Sequence, residues 1–396
     1  MITNELNVAA PFVTAREIKT NLSPSHTLEN VSEWFEECAS HRCCPKQLDS
    51  TLPTRVIDVT TLEVKTTDGI TGKYAALSYC WGKSTQNYHC FSITRSCIRR
   101  LDFDGLPRTI KDAISVTRAI GVPYLWVDSL CIIQDDEADK IREISRMAQV
   151  YGDAHVTIVA SSSNCATQGF LQPREPHNDG IAIPFRVGAD RFGRATVQRT
   201  TRPVNSFWTN EIYEPIDERA WTLQEQLLAR RLLLYASHTL QWRCAAGTKN
   251  LGQSLNVTSC YRPGPKLLSQ ISVDPEEAYQ EWLRIVQTYS LRSASLQSDK
   301  LPAIAALAER FAPVLGDYYA GIWSYAFIRQ LTWQHAQMVK PDFDRTVYRA
   351  PSWSWASIDG EILYARGDFI QEVECTRISV KTTPKDREAP YGEVTE

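Results

Sequence analysis

"LPRTIKDAISVTRAIGVPYLWVDSLCIIQDDEADKIREISRMAQVYGDAHVTIVAS", residues 106–161, switches between two periodicities, and the switching decides the fold class. Over 106–121, Leu106, Ile110, Ala113, Ile114, Thr117 and Ile120 recur at helical spacing, and Gly121 follows as a C-terminal cap. "PYLWVDSLCII" (123–133) reads as one near-continuous apolar strand. "DDEADKIREISRMAQVYGDA" (135–154) opens on acids suited to a helix N-terminus and sets Ile141, Ile144, Met147, Val150 and Tyr151 on one stripe. "HVTIVAS" (155–161) is a further apolar strand, and "YAALSYCWG" (74–82) is one upstream. Strand–helix–strand–helix–strand with apolar strands predicts an α/β domain: a parallel sheet flanked by helices on both faces.

Outward from this core, the first 30 or so residues hold no sustained period and read as a loosely held arm, with a short helix over 28–38. "TRVIDVT" (54–60) is a strand, and "LEVKTTDGITGKYAALSYCW" a hairpin turning at Asp68-Gly69. Residues 162–215 are richer in Gly, Pro and Asn and read as an irregular β-rich insertion. Residues 218–244 give a helix and two short strands, 245–275 a loop broken at "YRPGPK". Residues 276–336 are helical, with Trp282, Ile285, Val286 and Tyr289 on one face. The division expected is an arm with a short helix at 1–53, the α/β domain at 54–245, a mostly helical, aromatic-rich C-terminal extension at 246–380, and a tail at 381–396.

The chain has 396 residues, 43% apolar and 22% charged, as in soluble globular proteins. A net charge of −3 supplies no bulk attraction to nucleic acid or anionic lipid, so neither partner is expected. The N-terminal stretch lacks the pattern of a signal peptide, and no apolar run reaches 18 residues, so no membrane association is expected. Eleven scattered cysteines, an odd number, suit reduced thiols and a cytoplasmic location. In "CASHRCC", Cys38, His41, Cys43 and Cys44 cluster without a second ligand pair at metal-site spacing, so the reading is packed thiols and no metal. Glycine-rich phosphate loops and G-x-S-x-G are missing, and no cofactor is expected. Eleven tryptophans imply thick aromatic layers or an aromatic-walled pocket.

Three stretches, "YAALSYCWG", residues 106–161 and "RAWTLQEQLLARRLLLY" (219–235), resemble in wording, order and spacing the fungal heterokaryon incompatibility (HET) domain family. "VSEWFEECASHRC", "DKLPAIAALAERFA", "YYAGIW" and "YRAPSWSWASIDG" are similar to the flanking segments of such proteins, so the likeness spans most of 30–360. Lys140 departs from the pattern, standing where a Trp is common. The resemblance implies a TIR-like α/β fold and a role in self/non-self recognition ending in cell death. NAD cleavage occurs on some TIR-like folds, but fold alone does not transfer it.

Candidate site residues follow from position. Asp128 falls at the carboxyl end of an apolar strand, where open α/β sheets bind ligands, and either serves a site or anchors the next loop. Glu143 lies on the edge of its helix's apolar stripe and so turns inward, with Arg219 its natural cation: a structural ion pair or a catalytic carboxylate. Gln224 joins these as a catalytic candidate. Tyr79, Trp81, Trp126, Trp221 and Glu225 are pocket or binding candidates, with core packing as the other reading for the aromatics.

Two functions are expected to compete. One is a stand-alone HET protein of the incompatibility type, with a protein partner. The other is an enzyme of secondary metabolism, a cofactor-free cyclase of Diels–Alder type holding a hydrophobic terpenoid or polyketide intermediate in near-attack geometry. An NAD glycohydrolase built on Glu143 ranks below both.

Overall fold

The computed structural model of the chain describes residues 3–4, 6–13, 15–16, 19–46, 48–82, 93–94, 100–174, 180–197, 214–252, 271–336, 348–364, 379–387 and 389–395. The chain divides into two units, one of residues 1–216 and 229–263, the other of 217–228 and 264–396.

The first unit is built on an eight-stranded mixed sheet. Its strands are β1 (Arg55–Asp58), β2 (Glu63–Thr66), β3 (Tyr74–Ser78), β4 (Tyr124–Trp126), β5 (Val156–Val159), β6 (Arg231–Tyr235), β7 (Leu240–Cys244) and β8 (Gly247–Asn250). They lie in the order β8-β7-β6-β5-β3-β4-β1-β2. Pairing is parallel among β6, β5, β3 and β4, and antiparallel in the two flanking pairs. The α/β class therefore holds, but the sheet is mixed rather than parallel throughout, because short connections before β2, β7 and β8 allow only antiparallel return.

The α/β pattern also holds at α2 (Arg108–Ala119), where Ile110, Ala113, Ile114 and Thr117 are buried. It ends at Gly121, φ +71°, a left-handed cap that a β-carbon would disfavour. Upstream, α1 (Pro24–Ser40) is longer than the short helix expected and buries Val31, Trp34 and Cys38. Ala9 and Leu22 are fully buried, so the arm is held down at those points.

Three local expectations fail for identifiable reasons. The turn at Asp68-Gly69 makes no hairpin with the strand before it: β2 pairs with β1, and Thr71–Gly72 pairs instead with Ser50–Thr51. The strand expected over 123–133 stops at Trp126, because Asp128 opens a helical turn, α3 (Asp128–Cys131). The helix expected over 135–154 is broken at Arg146 into α4 (Glu137–Ser145) and α5 (Met147–Asp153). On α4 the stripe is reversed, with Asp139 and Glu143 each 1% exposed while Ile141 and Ile144 stand at 62% and 41%. Hydrogen bonds to Asp139 fix that face inward, and a residue two positions on is turned about 200° away from it.

Within 162–215, the strands Ile181–Arg186 and Phe192–Val197 form a two-stranded hairpin, in line with the β-rich reading. In the second unit, α6 (Ala220–Leu227), α7 (Pro275–Ser290) and α8 (Pro302–Leu315) pack around Trp282, Ile285, Val286, Tyr289 and Phe311, all fully buried. Trp282 meets Phe311 and Trp323 edge-on at 5.5 Å, so the aromatic surplus here is core. "YRPGPK" lies outside the described residues.

Candidate functional site

Strands β4 and β5 lie on opposite sides of β3, so the strand order reverses at β3, and in open α/β sheets ligands bind at the carboxyl ends of the strands at such a point. Tyr79 and Trp81 follow β3, Asp128 and Ser129 follow β4, and Ala160 to Ser163 follow β5. Because β1 runs antiparallel to β4, its first residue, Arg55, and Thr54 just before it fall at the same edge. Gly82 makes the exit from β3 feasible: its φ is +105°, and a β-carbon there would stand 2.8 Å from that of Cys165.

Two polar clusters occupy this rim. In the first, Asp128 Oδ2 accepts from Trp81 Nε1 at 3.0 Å and Oδ1 from the Ser129 backbone at 2.7 Å. The Tyr79 hydroxyl meets Ser129 Oγ at 2.9 Å. Asp128 thus ties the end of β3 to the start of α3.

The second cluster is more deeply buried. Arg55 Nη2 pairs with Asp139 Oδ2, and Arg55 Nε donates to the Cys131 carbonyl at 2.6 Å. Asp139 also accepts from the Ile133 backbone at 2.9 Å and pairs with Arg142. Glu143 Oε1 accepts from Thr54 Oγ1 at 2.9 Å, with Arg142 Nε at 3.4 Å and Arg146 Nη1 at 4.0 Å. Three guanidiniums face two carboxylates, of which Arg55, Asp139 and Glu143 are almost fully enclosed. Gln134 Nε2 donates to the carbonyls of Asp128 at 3.3 Å and Ile132 at 3.0 Å. Asp136 caps α4, accepting from the Ala138 and Asp139 backbones.

The polar run after Asp128 is therefore a wired loop between a half-buried acid, Asp128, and a buried one, Asp139. Cys131 within it is inert, since burial pushes its thiol up to about 12.

Of the candidate residues, Trp81 and Asp128 are brought into direct contact, and Tyr79 joins them through Ser129. Trp126 is fully buried and meets Tyr151 edge-on at 5.6 Å. Its Nε1 has no hydrogen-bond partner among the described residues, nor has Thr157 Oγ1. Both residues stand in register with Ala76 and so share one sheet face. Glu143 finds its partners in Thr54, just before β1, in Arg142 of its own helix and in Arg146, which follows that helix.

Arg219, Trp221, Gln224 and Glu225 belong to the other unit. There Trp221 Nε1 donates to Asp299 at 3.0 Å and Gln224 Oε1 accepts from the Ala306 backbone at 3.1 Å. Arg292 donates to Thr222 Oγ1 at 2.8 Å and to the Arg219 carbonyl at 3.2 Å. These contacts fasten α6 to its own unit, and Glu225 is buried on the same helix.

Sequence reasoning missed Thr54, Arg55 and Asp139. A signal existed, because Asp139 precedes Glu143 by four residues and so shares its face.

The structure also assembles a cluster that spacing could not show. Cys38, His41 and Cys44 are joined by Cys244 at the end of β7, their ligand atoms all within 4.8 Å of one another. The sequence reading of packed thiols without a second ligand pair saw only the local three, because the fourth residue lies 203 positions beyond His41.

Residues 74–225, from the first residue of β3 to within α6, match the sequence model of the family described as Heterokaryon incompatibility protein (HET). Neither the curated proteins nor the solved structures gave a match.

Proposed function

With residues 74–225 matching the HET family, we propose that this chain acts in an incompatibility-type response, recognising non-self and committing the cell to death, and that the rim of its sheet is the reading surface. The observation that carries this is the family match, whose span includes Tyr79, Trp81, Asp128, Asp139 and Glu143. In support, Asp128 is held by an indole N–H and a backbone N–H at the sheet's rim, which fixes its orientation before any partner arrives. In this reading Asp128 and Trp81 contact the partner. Arg55, Asp139 and Glu143 are positioning residues that hold the 127–136 loop. Glu143 lies under Arg142 and Arg146, a placement suited to an anchor rather than to a proton-transfer group in open reach of a substrate.

Inducible expression in a fungal host tests the proposal. Wild type is expected to arrest growth, and Asp128→Ala to relieve the arrest at equal protein level. Unchanged growth at verified high expression of wild type refutes it. Nicotinamide release by purified wild type, lost in Glu143→Gln, would replace the recognition reading with an enzymatic one.

A further inference from the structure

We propose that Cys38, His41, Cys44 and Cys244 bind one zinc ion in a closed, structural Cys₃His site. The argument begins with spacing. Cys38 sits in the last turn of α1, His41 is its C-terminal cap, and Cys44 follows. C-x₂-H-x₂-C thus presents three ligands from one helix end, and Cys244 closes the set from β7. Structural zinc sites take four such ligands and leave no open position.

The distances are compatible with a shared metal. With Zn–S near 2.3 Å and Zn–N near 2.0–2.1 Å, a tetrahedron sets nitrogen and sulfur about 3.5 Å apart. His41 Nδ1 lies 3.5 Å from Cys44 Sγ and 3.7 Å from Cys244 Sγ. All four residues are free of disulfides or are histidine, and the three sulfurs are buried.

The surroundings carry the rest. The other ring nitrogen of His41, Nε2, faces Glu37 Oε1 at 3.8 Å, which sets a carboxylate on the side from which one orients metal-bound imidazoles, though beyond hydrogen-bond length. Three thiolates and a neutral imidazole around Zn²⁺ leave the site with one net negative charge, the thiol protons having gone to solvent. A fully buried cation stands beside it: Arg231, 1% exposed, donates from Nε to Cys38 Sγ at 3.3 Å. Its remaining partners are the carbonyls of His155 and Pro45, and no carboxylate pairs with it among the described residues. A buried guanidinium without an anion is costly, and a zinc-thiolate centre supplies the anion.

The ion would therefore join α1 to β7, where Phe35 and Trp34 already pack on Trp242. Cys43 is adjacent to Cys44 but exposed and outside the set, which makes it the internal control.

The experiment uses the full chain, expressed in zinc-supplemented medium and dialysed. Elemental analysis is expected to give about one zinc per chain. Cobalt exchanged into the metal-free protein is expected to show the visible bands of tetrahedral thiolate coordination. Cys43→Ser should keep both signals, Cys244→Ser should lose them, and His41→Cys should keep the metal with a shifted cobalt spectrum. If Cys244→Ser fails to fold, wild type alone decides: chelator should lower its Tm and added zinc restore it. Wild type that is folded, metal-free and indifferent to chelator overturns the proposal. So does equal metal loss in Cys43→Ser, or a disulfide among Cys38, Cys44 and Cys244 found by mass spectrometry.

Discussion

Replacing Arg55 by Met tests whether buried charge, rather than apolar burial, holds α4 on the rim. The Arg55 side chain is 7% exposed and that of its partner Asp139 2%. Met keeps much of the stem volume but deletes the bond to Asp139 and the 2.6 Å bond to the Cys131 carbonyl. Asp139 would retain the Ile133 N–H and Arg142, whose side chain is 48% exposed and therefore screened by water. Removing one partner of a buried pair costs about 3–5 kcal/mol, because the other charge stays enclosed. For a unit of this size that corresponds to a Tm lower by roughly 6–20 °C. Denaturant unfolding followed by fluorescence measures the loss directly. The companion variant Arg55→Met/Asp139→Leu removes both charges and should recover most of it, giving a coupling energy above about 1.5 kcal/mol. A loss under about 1 kcal/mol for Arg55→Met, additive with Asp139→Leu, would refute the reasoning.

Trp81→Phe deletes the indole donor to Asp128 while keeping most of the ring; a loss of about 1–2 kcal/mol is expected, with Tyr79→Phe milder, both read from denaturant midpoints. His155 is held down to about 4, chiefly by burial and then by Arg231 and Lys73, with Asp49 acting the other way. Its unfolded value is near 6.5, so between about 4 and 6.5 the unfolded chain binds more protons. The contribution is fully present above about 6.5 and falls away as pH drops toward 4, by at most about 3.4 kcal/mol. His155→Phe should flatten that acid limb relative to wild type in urea titrations at stepped pH, and parallel limbs would contradict the assignment.

Much of the α/β order was legible because apolar runs and helical stripes are local signals. α2 follows its stripe at Ile110, Ala113, Ile114 and Thr117, which are buried, whereas Ile120 lies past its end and is half-buried. α4 was misread for the opposite reason. Its orientation is set by Arg55, 84 residues before Asp139, and no window of sequence contains both. The same holds for the thiol cluster, whose fourth member comes from β7. Asp128 was located at the rim by its place after a strand, but its partner Trp81 comes from another strand end. Local pattern fixes elements, whereas the pairing of polar groups between elements is a property of topology.

α6 has a practical consequence for dissection. The family segment ends inside this helix, yet its side chains are hydrogen-bonded to Asp299, Arg292 and Ala306, residues that a fragment ending at 225 or even 263 would omit. Such a truncation would expose Trp221, Gln224 and Leu223 without replacement partners, so its failure to express would report a severed scaffold and say nothing about activity. Expression boundaries for this protein should follow contacts, and the smallest piece that respects them runs past Leu315.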